Sequence, residues 1–426
     1  MYDVHPLDHY EIHGGRPLRG RVTISGAKNA ALPMMAAALL TGRPVELRRV
    51  PDIVDVRVMI EILRAVGAMV ETDEPGTLRV DARDAQPMAA PAGMVQALRA
   101  SFLLMGAMLA RFGRASCAPP GGDVVGQRPL DVHLHGFAAL GAAVEREGDH
   151  FIARAPAGLR GARIFLDYPS VLGTENLLIA ASLARGTTVL VNAAAEPEVA
   201  ALAGMLNAMG ARIRGAGTHT IEIVGVSELG GVAAEVIADR IEAGTYAIAG
   251  VLGGGPITVE GVEPLHMDAL LFKLGEAGAH VERGGDWVTV ASGERLSAVS
   301  VQALPYPGLA TDLQAQVAVL LTQAEGVSLV HERVFDNRML YISELRSLGA
   351  EVVSTGSTAI IRGPTHLTGA SVRALDLRAG AALILAGLVA QGVTALHDIY
   401  HLDRGYERLE QKLQGLGADV RRVRND

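Results

Sequence analysis

Apolar positions along the chain follow two distinct helical patterns. In the first, apolar side chains fall on one face, as at Met59, Ile60, Ile62, Leu63 and Val66, which is the spacing of an amphipathic helix. Each such stretch closes on the same short phrase: Val66-Gly67-Ala68, Leu140-Gly141-Ala142, Met209-Gly210-Ala211, Ala277-Gly278-Ala279, Leu348-Gly349-Ala350 and Leu416-Gly417-Ala418. The six glycines are separated by 74, 69, 68, 71 and 68 residues, so one unit of about 70 residues recurs six times. Glycine at the end of an amphipathic segment predicts a left-handed helix cap, and the apolar or β-branched residue that follows predicts a strand.

The second pattern is apolar nearly all round. It occupies Ala30–Leu40, Ser101–Ala110, Asn176–Ala184, Thr245–Leu252, Leu313–Leu321 and Ala379–Val389, one stretch per repeat. Helices without a polar face must be buried. Short strand patterns such as Thr187–Val191, opened by Gly186, and Val393–Leu396, opened by Gly392, lie between the two helix types. A unit with an all-apolar helix cannot satisfy itself alone. Three units around their buried helices, twice over, is the simplest closure, and it predicts a two-domain α/β protein; an open solenoid would not need a buried helix in every rung. Gly253-Gly254-Gly255-Pro256 reads as a turn.

Composition supports a large folded interior. The 426 residues are 49% hydrophobic and 20% charged, with 50 Gly and 4% aromatic side chains, so the cores are expected to be built from small and aliphatic groups. A length of 426 residues itself favours two domains. The net charge of -8 argues against a nucleic-acid or membrane-surface binder and confines any anion site to local cations. One cysteine excludes an intrachain disulfide. The first residues lack a basic stretch followed by an apolar one, and the longest apolar run, Ala379–Ala390, is shorter than the roughly 20 residues of a membrane span, so a cytoplasmic location is expected. Only Lys28, Lys273 and Lys412 are lysines. Nothing in the sequence bears on oligomeric state.

Several polar blocks stand out against this apolar background. They are Ser25-Gly26-Ala27-Lys28-Asn29, Leu98-Arg99-Ala100-Ser101, Pro120-Gly121-Gly122-Asp123, Arg128-Pro129-Leu130-Asp131-Val132-His133, Glu196-Pro197-Glu198, Asp239-Arg240-Ile241-Glu242, Thr311-Asp312-Leu313-Gln314, Phe335-Asp336-Asn337-Arg338, Asp376-Leu377-Arg378 and Asp403-Arg404-Gly405-Tyr406. In this order, and over essentially the whole chain, they resemble the UDP-N-acetylglucosamine enolpyruvyl transferases. The resemblance implies two inside-out α/β domains of three repeats, 27–237 and 1–26 plus 238–426, with the active site in the cleft between them. It also implies transfer of the enolpyruvyl group of phosphoenolpyruvate to the 3-hydroxyl of UDP-N-acetylglucosamine by addition and then elimination of phosphate, the first committed step of peptidoglycan synthesis. A paralogous enolpyruvyl transferase for another nucleotide sugar, or a silent sensor of UDP-sugars, is the alternative.

The residues fit that chemistry. A substrate with a phosphate and a carboxylate calls for fixed cations, and Lys28, Arg99, Arg128, Arg378 and Arg404 supply them. Lys28 lies at the entrance of an apolar helix, where free amides already favour anions. Addition and elimination need two acid-base groups. The resemblance implies Asp312 as the base toward the sugar hydroxyl, although Asp at that position would also cap a helix. It implies Asp123 as the acid that protonates C3, where most relatives carry Cys. A thiol of reference pKa near 8.5 keeps its proton at neutral pH, whereas a carboxyl near 3.9 needs help from burial or a neighbouring charge. Fosfomycin, which alkylates that cysteine in the family, is therefore expected to fail here. Cys117 lies outside the matched frame and reads as a strand residue. Residues 116–125 read as a mobile lid that carries Asp123.

For the acceptor, the resemblance implies Arg128, Pro129, Leu130 and Asp131 at the uridine, Ser170 and Val171 at the diphosphate, and Asn29 near the sugar; Val334 and Arg338 complete the implied substrate contacts. Tyr168, Leu172 and Ala310 depart from the family's usual Lys, Gly and Pro. No metal or cofactor is required by the reaction, and no HExxH, CxxC or Walker A pattern is present in the sequence.

Overall fold

In a computed structural model, residues 8–122, 126 and 129–424 are described. The chain divides into two compact units: an inserted unit of residues 26–122 and 129–237, and a flanking unit of residues 8–25, 126 and 238–424. Each has its own apolar core.

The repeat phrase has one geometry in all six places. The amphipathic helices are Val54–Ala65, Asp131–Ala139, Pro197–Ala208, Asp268–Glu276, Tyr341–Ser347 and Leu409–Gly415. The glycine that follows each adopts a positive φ: 92° at Gly67, 92° at Gly141, 108° at Gly210, 96° at Gly278, 92° at Gly349 and 101° at Gly417. Two backbone bonds recur with it. At the first repeat, Gly67 N–H donates to Arg64 O at 3.0 Å and Ala68 N–H to Leu63 O at 3.0 Å, and the same pair is found at the other five. This is the Schellman closure, in which a left-handed residue lets the last helical carbonyls find donors. A side chain at any of these glycines would be strained. The strands Met69–Glu71, Ala143–Glu147, Arg212–Arg214, His280–Arg283, Glu351–Thr355 and Asp419–Val423 leave from these caps.

The all-apolar patterns are the buried helices Lys28–Ala37, Leu104–Phe112, Val171–Ala181, Arg240–Leu252, Gln314–Leu321 and Leu377–Val389, three in each unit. Every residue of Gln314–Leu321 is buried. Close approach between such helices needs small residues: a Cβ on Gly106 would lie 2.3 Å from Asn176 Oδ1 and 2.6 Å from Asn176 O.

Around the helices stand, among the described residues, six sheets, three per unit. Five share one plan, a parallel pair followed by two antiparallel steps, as in Arg163–Phe165, Thr187–Val191, Thr220–Val224 and Arg212–Arg214. Among the described residues the sixth has three strands, Arg114–Cys117, His150–Arg154 and Ala143–Glu147. His9–His13 pairs with Val393–His397 and Asp419–Val423, and Leu18–Thr23 pairs with Gly254–Glu260, so the start of the chain completes two sheets of the flanking unit.

Two local expectations are corrected. Gly254, Gly255 and Pro256 begin the strand Gly254–Glu260, with a register shift between Gly254 and Ile257, and form no turn. Ser116 and Cys117, the start of the expected lid, belong to the strand Arg114–Cys117, where Cys117 pairs with Phe151, and residues 123–125 of that segment lie outside the described residues.

Two of the points at which the chain passes between the units, residues 25–27 and 237–239, are neighbours. Ser25 O accepts from Asp239 N at 2.9 Å, and Ala27 N donates to Ile237 O at 2.7 Å. Gly26 is required at the first of them, because a Cβ there would sit 1.8 Å from Arg49 O.

Candidate functional site

In the flanking unit the sequence-selected residues Asp312, Arg338 and Arg378 come together. Asp312 lies in the single turn Thr311–Leu313 ahead of the helix Gln314–Leu321, and no side-chain capping bond is made there. Its carboxylate is engaged by guanidinium groups: Oδ1 lies 2.8 Å from Arg338 Nη1 and Oδ2 accepts from Arg378 Nε at 3.0 Å. Arg338 is 8% and Arg378 3% exposed. Burial works to discharge Arg378, but the neighbouring Asp312, Tyr406 and Asp239 more than offset it and hold the guanidinium above its ordinary range. A carboxylate fixed between two buried cations is placed with little freedom.

The surrounding groups hold this arrangement. Thr311 Oγ1 donates to Glu332 Oε2 at 2.7 Å and accepts from Arg338 Nη1 at 3.3 Å. Glu332 Oε1 accepts from the backbone of Val334 and Phe335 at 2.7 and 3.2 Å, which fixes the turn carrying Val334. Arg378 follows Asp376, whose Oδ1 caps the helix through Arg378 N and Ala379 N at 2.7 and 3.0 Å. Arg378 also lies 5.4 Å from the Tyr406 ring centroid. Arg404 is the half-buried residue that ends the short helix Tyr400–Asp403.

In the inserted unit, Lys28 is the first residue of Lys28–Ala37, and its ammonium lies 3.2 Å from Asp55 Oδ2, a carboxylate 2% exposed. Asn29 beside it is exposed. Arg99 opens the turn Arg99–Leu103 and donates to Pro120 O at 3.4 Å, at the root of the Gly121-Gly122 stretch. Asp123 and Arg128 lie outside the described residues. Pro129 is exposed and Leu130 half-buried; Asp131 opens the helix Asp131–Ala139, and its Oδ1 is buried with no hydrogen-bond partner among the described residues.

Arg99 lies close enough to act on both His133 and Tyr168, and Asp131 acts on Tyr168. Ser170 caps the helix Val171–Ala181 by accepting from Gly173 N at 3.1 Å, and Val171 is that helix's first residue. Burial pushes the Tyr168 hydroxyl up and Asp131 adds to the shift, while Ser170 and Arg99 oppose it; Tyr168 is a neutral donor at physiological pH.

His133 is held by Asn176, which no sequence pattern singled out. Asn176 Oδ1 accepts from Gly106 N at 2.9 Å, so its amide nitrogen is the donor to Phe102 O at 2.9 Å and to His133 Nδ1 at 2.9 Å. With Nδ1 an acceptor, the imidazole proton sits on Nε2. Burial, and then the charge of Arg99, lowers the imidazole pKa to about 3. Next to Asn176, Glu175 is fully buried with neither carboxyl oxygen hydrogen-bonded among the described residues. Burial pushes its carboxyl well up, and Glu198 and Glu196 add to the effect.

Asp55 also escaped the sequence reading, although a signal existed. It falls on the face of its helix shared by Val58, Met59 and Ile62, and an acid among apolar positions at that spacing asks for a partner. Cys117 is 4% exposed, and burial pushes its thiol up to about 12, which leaves it a poor nucleophile. Among the described residues no cluster of His, Cys, Asp and Glu is arranged to hold a metal ion, and no helix is long and apolar enough to cross a membrane.

The family model for EPSP synthase (3-phosphoshikimate 1-carboxyvinyltransferase) matches residues 12–413. The UDP-N-acetylglucosamine 1-carboxyvinyltransferase 2 of Carboxydothermus hydrogenoformans is 50% identical over 419 residues, covering 98% of this chain and 100% of that protein. The UDP-N-acetylglucosamine 1-carboxyvinyltransferase of Desulforapulum autotrophicum is 47% identical over 98% of this chain and 100% of its own. Among solved structures, the enolpyruvyl transferase NikO from Streptomyces tendae is similar with a TM-score of 0.89 and 31% identity, over 98% of this chain and 99% of that one. EPSP synthase from Acinetobacter baumannii shares the fold at a TM-score of 0.76 and 17% identity, over 98% and 100% of the two chains.

Proposed function

This chain belongs to the EPSP synthase family, and we propose that within it the protein transfers the enolpyruvyl group of phosphoenolpyruvate to the 3-hydroxyl of UDP-N-acetylglucosamine, releasing phosphate. The observation that carries the acceptor is 50% identity along the full length of a relative that bears that activity in its name.

In the addition step the sugar O3 forms a bond to C2 of phosphoenolpyruvate while C3 takes a proton. In the elimination step C3 gives up a proton, the bond from C2 to the phosphate oxygen breaks, and phosphate leaves. Asp312 takes the hydroxyl proton in this scheme, held in place by Arg338 and Arg378. Lys28, Arg99, Arg128 and Arg404 serve the anionic groups together with Arg378, which also holds Asp312, and Asp123 supplies the proton to C3. Asp131 Oδ1, buried and unpartnered among the described residues, is an acceptor suited to an N–H of the uracil ring. Ser170 and Val171, at a helix start, suit the diphosphate, and Asn29, Val334 and Arg338 complete the contacts. Placement in cytoplasmic peptidoglycan synthesis follows from this substrate pair.

A second acceptor is favoured by Tyr168, which sets a neutral hydroxyl where the family often has an ammonium, and by the likeness to NikO. The full-length identity outweighs both. Phosphate release from phosphoenolpyruvate, measured with UDP-N-acetylglucosamine, with other uridine nucleotides and with no acceptor, decides the matter. Release only with a different nucleotide would replace the proposed acceptor, and release with none would defeat the proposal.

A further inference from the structure

Arg404 sits on a turn too short to hold itself. The helix that leads to it, Tyr400–Asp403, has four residues, and the turn is closed by bonds from Arg404 N to His401 O at 3.3 Å and from Gly405 N to Leu402 O at 3.1 Å. Side chains on either side of it add to its hold. After Arg404 the anchoring is dense. A Cβ on Gly405 would lie 2.6 Å from Leu377 Cδ2, and the Tyr406 hydroxyl, 3% exposed, lies 2.9 Å from Thr245 Oγ1. Glu407 Oε2 accepts from Ser25 Oγ at 2.5 Å.

Before Arg404, Leu402 is seated in the core at 1% exposed, and the adjoining Asp403 is held by an ion pair. Arg422, on the strand Asp419–Val423, donates from Nη1 to Asp403 Oδ2 at 3.0 Å and from Nη2 to Asp403 Oδ1 at 2.5 Å. The guanidinium is 17% exposed and also donates to the Tyr10 hydroxyl at 2.9 Å; Tyr10, 1% exposed, donates in turn to Glu410 Oε2 at 2.8 Å. The pair joins a strand locked by its register with His9–His13 to the last residue before Arg404. Two parallel bonds fix the carboxylate in orientation as well as distance, which a single ammonium does not do.

We propose that Arg422 is a positioning residue for the reaction: through Asp403 it orients the turn that presents Arg404 to the anionic substrate. The inference rests on the reading that Arg404 binds phosphoenolpyruvate. Asp403 and Arg422 touch no reacting atom in this scheme, and their effect reaches the chemistry through one backbone residue.

Steady-state kinetics of the full chain test it. Arg422→Gln is expected to lower kcat/KM for phosphoenolpyruvate by about tenfold or more while the KM for UDP-N-acetylglucosamine changes less than about twofold. Arg422→Lys, which keeps the charge but not the fork, recovers only part of the loss. Tyr10→Phe, which leaves the paired bonds to Asp403, stays within about twofold of the parent. The decisive comparison is a double-mutant cycle. With Arg404→Gln already present, adding Arg422→Gln is expected to change kcat/KM no further, because the group it positions is gone. A fully additive second loss, or an Arg422→Gln enzyme with unchanged phosphoenolpyruvate kinetics beside an impaired Arg404→Gln enzyme, overturns the proposal. An unimpaired Arg404→Gln enzyme overturns the assignment of Arg404 and this inference with it. Asp403→Asn reads the same coupling from the other partner if Arg422→Gln fails to fold.

Discussion

Replacing His133 with Asn isolates one term in the acid stability of the inserted unit. The folded imidazole has a pKa near 3 and is 4% exposed, whereas an unfolded histidine titrates near 6.5. The folded value is the lower one, so below pH 6.5 the unfolded chain binds a proton that the folded chain refuses. The stability involved is complete above pH 6.5 and is lost as pH falls toward 3. Each pH unit in that window costs about 1.4 kcal/mol, so roughly 2 kcal/mol disappears between pH 6.5 and pH 5. Asn at 133 offers a carbonyl oxygen near the position of Nδ1, retains the bond from Asn176, and does not titrate. Urea unfolding followed by far-UV circular dichroism at pH 7.5 and pH 5 measures the difference; fluorescence is unsuitable because the single tryptophan, Trp287, belongs to the flanking unit. The wild type is expected to lose about 2 kcal/mol more than the variant over this interval. Equal losses in the two proteins would refute the reasoning.

Other substitutions probe neighbouring claims. Asn176→Ala strips the partner from Gly106 N and His133 Nδ1 and one of the donors to Phe102 O, and a loss of about 2 kcal/mol or more is expected in the same unfolding experiment, since each buried group left unbonded costs about 1–3 kcal/mol. Asp312→Asn is expected to lower kcat by about 10²–10⁴ in the phosphate-release assay with substrate binding largely kept; a loss confined to KM would remove Asp312 from the proton-transfer role. For Glu175 the folded pKa is raised, so its favourable term is present below the unfolded carboxyl value and is lost as pH rises from there. Glu175→Gln is therefore expected to gain stability on the wild type between pH 5 and pH 8, and a constant difference would contradict the burial argument. Fosfomycin is expected to leave the wild type active on prolonged incubation, because Cys117 is buried with a raised thiol pKa, and to inactivate Asp123→Cys in a time-dependent way. Labelling of Cys117 in the wild type would reverse that conclusion.

The repeat architecture was legible because the chain marks it chemically. A Schellman closure needs a residue tolerant of positive φ, so Gly67, Gly141, Gly210, Gly278, Gly349 and Gly417 announce six helix ends, and six all-apolar stretches announce what those helices surround. Polar partnerships were harder to read. Asn176 meets Gly106 from 70 residues away, and Arg422 meets Asp403 across a turn and a helix; neither spacing follows a local period. Asp312 shows the opposite case. Its position at a helix start allows both a cap and a side-chain role, and only the geometry of Arg338 and Arg378 separates them. The Gly-rich stretch Gly253–Pro256 misled for a related reason, since glycine permits a turn and equally permits a strand with a register shift.

The two chain crossings have a consequence for how this molecule can be taken apart. Ala27 is bonded to Ile237 and Ser25 to Asp239, so the inserted unit begins and ends at one seam, and so does the gap it would leave behind. A module with adjoining ends can be excised or exchanged without asking the host to span a distance, provided the stretch around Gly126, which belongs to the flanking unit, is replaced there. Two hydrogen bonds, at 2.7 and 2.9 Å, mark where such surgery should cut.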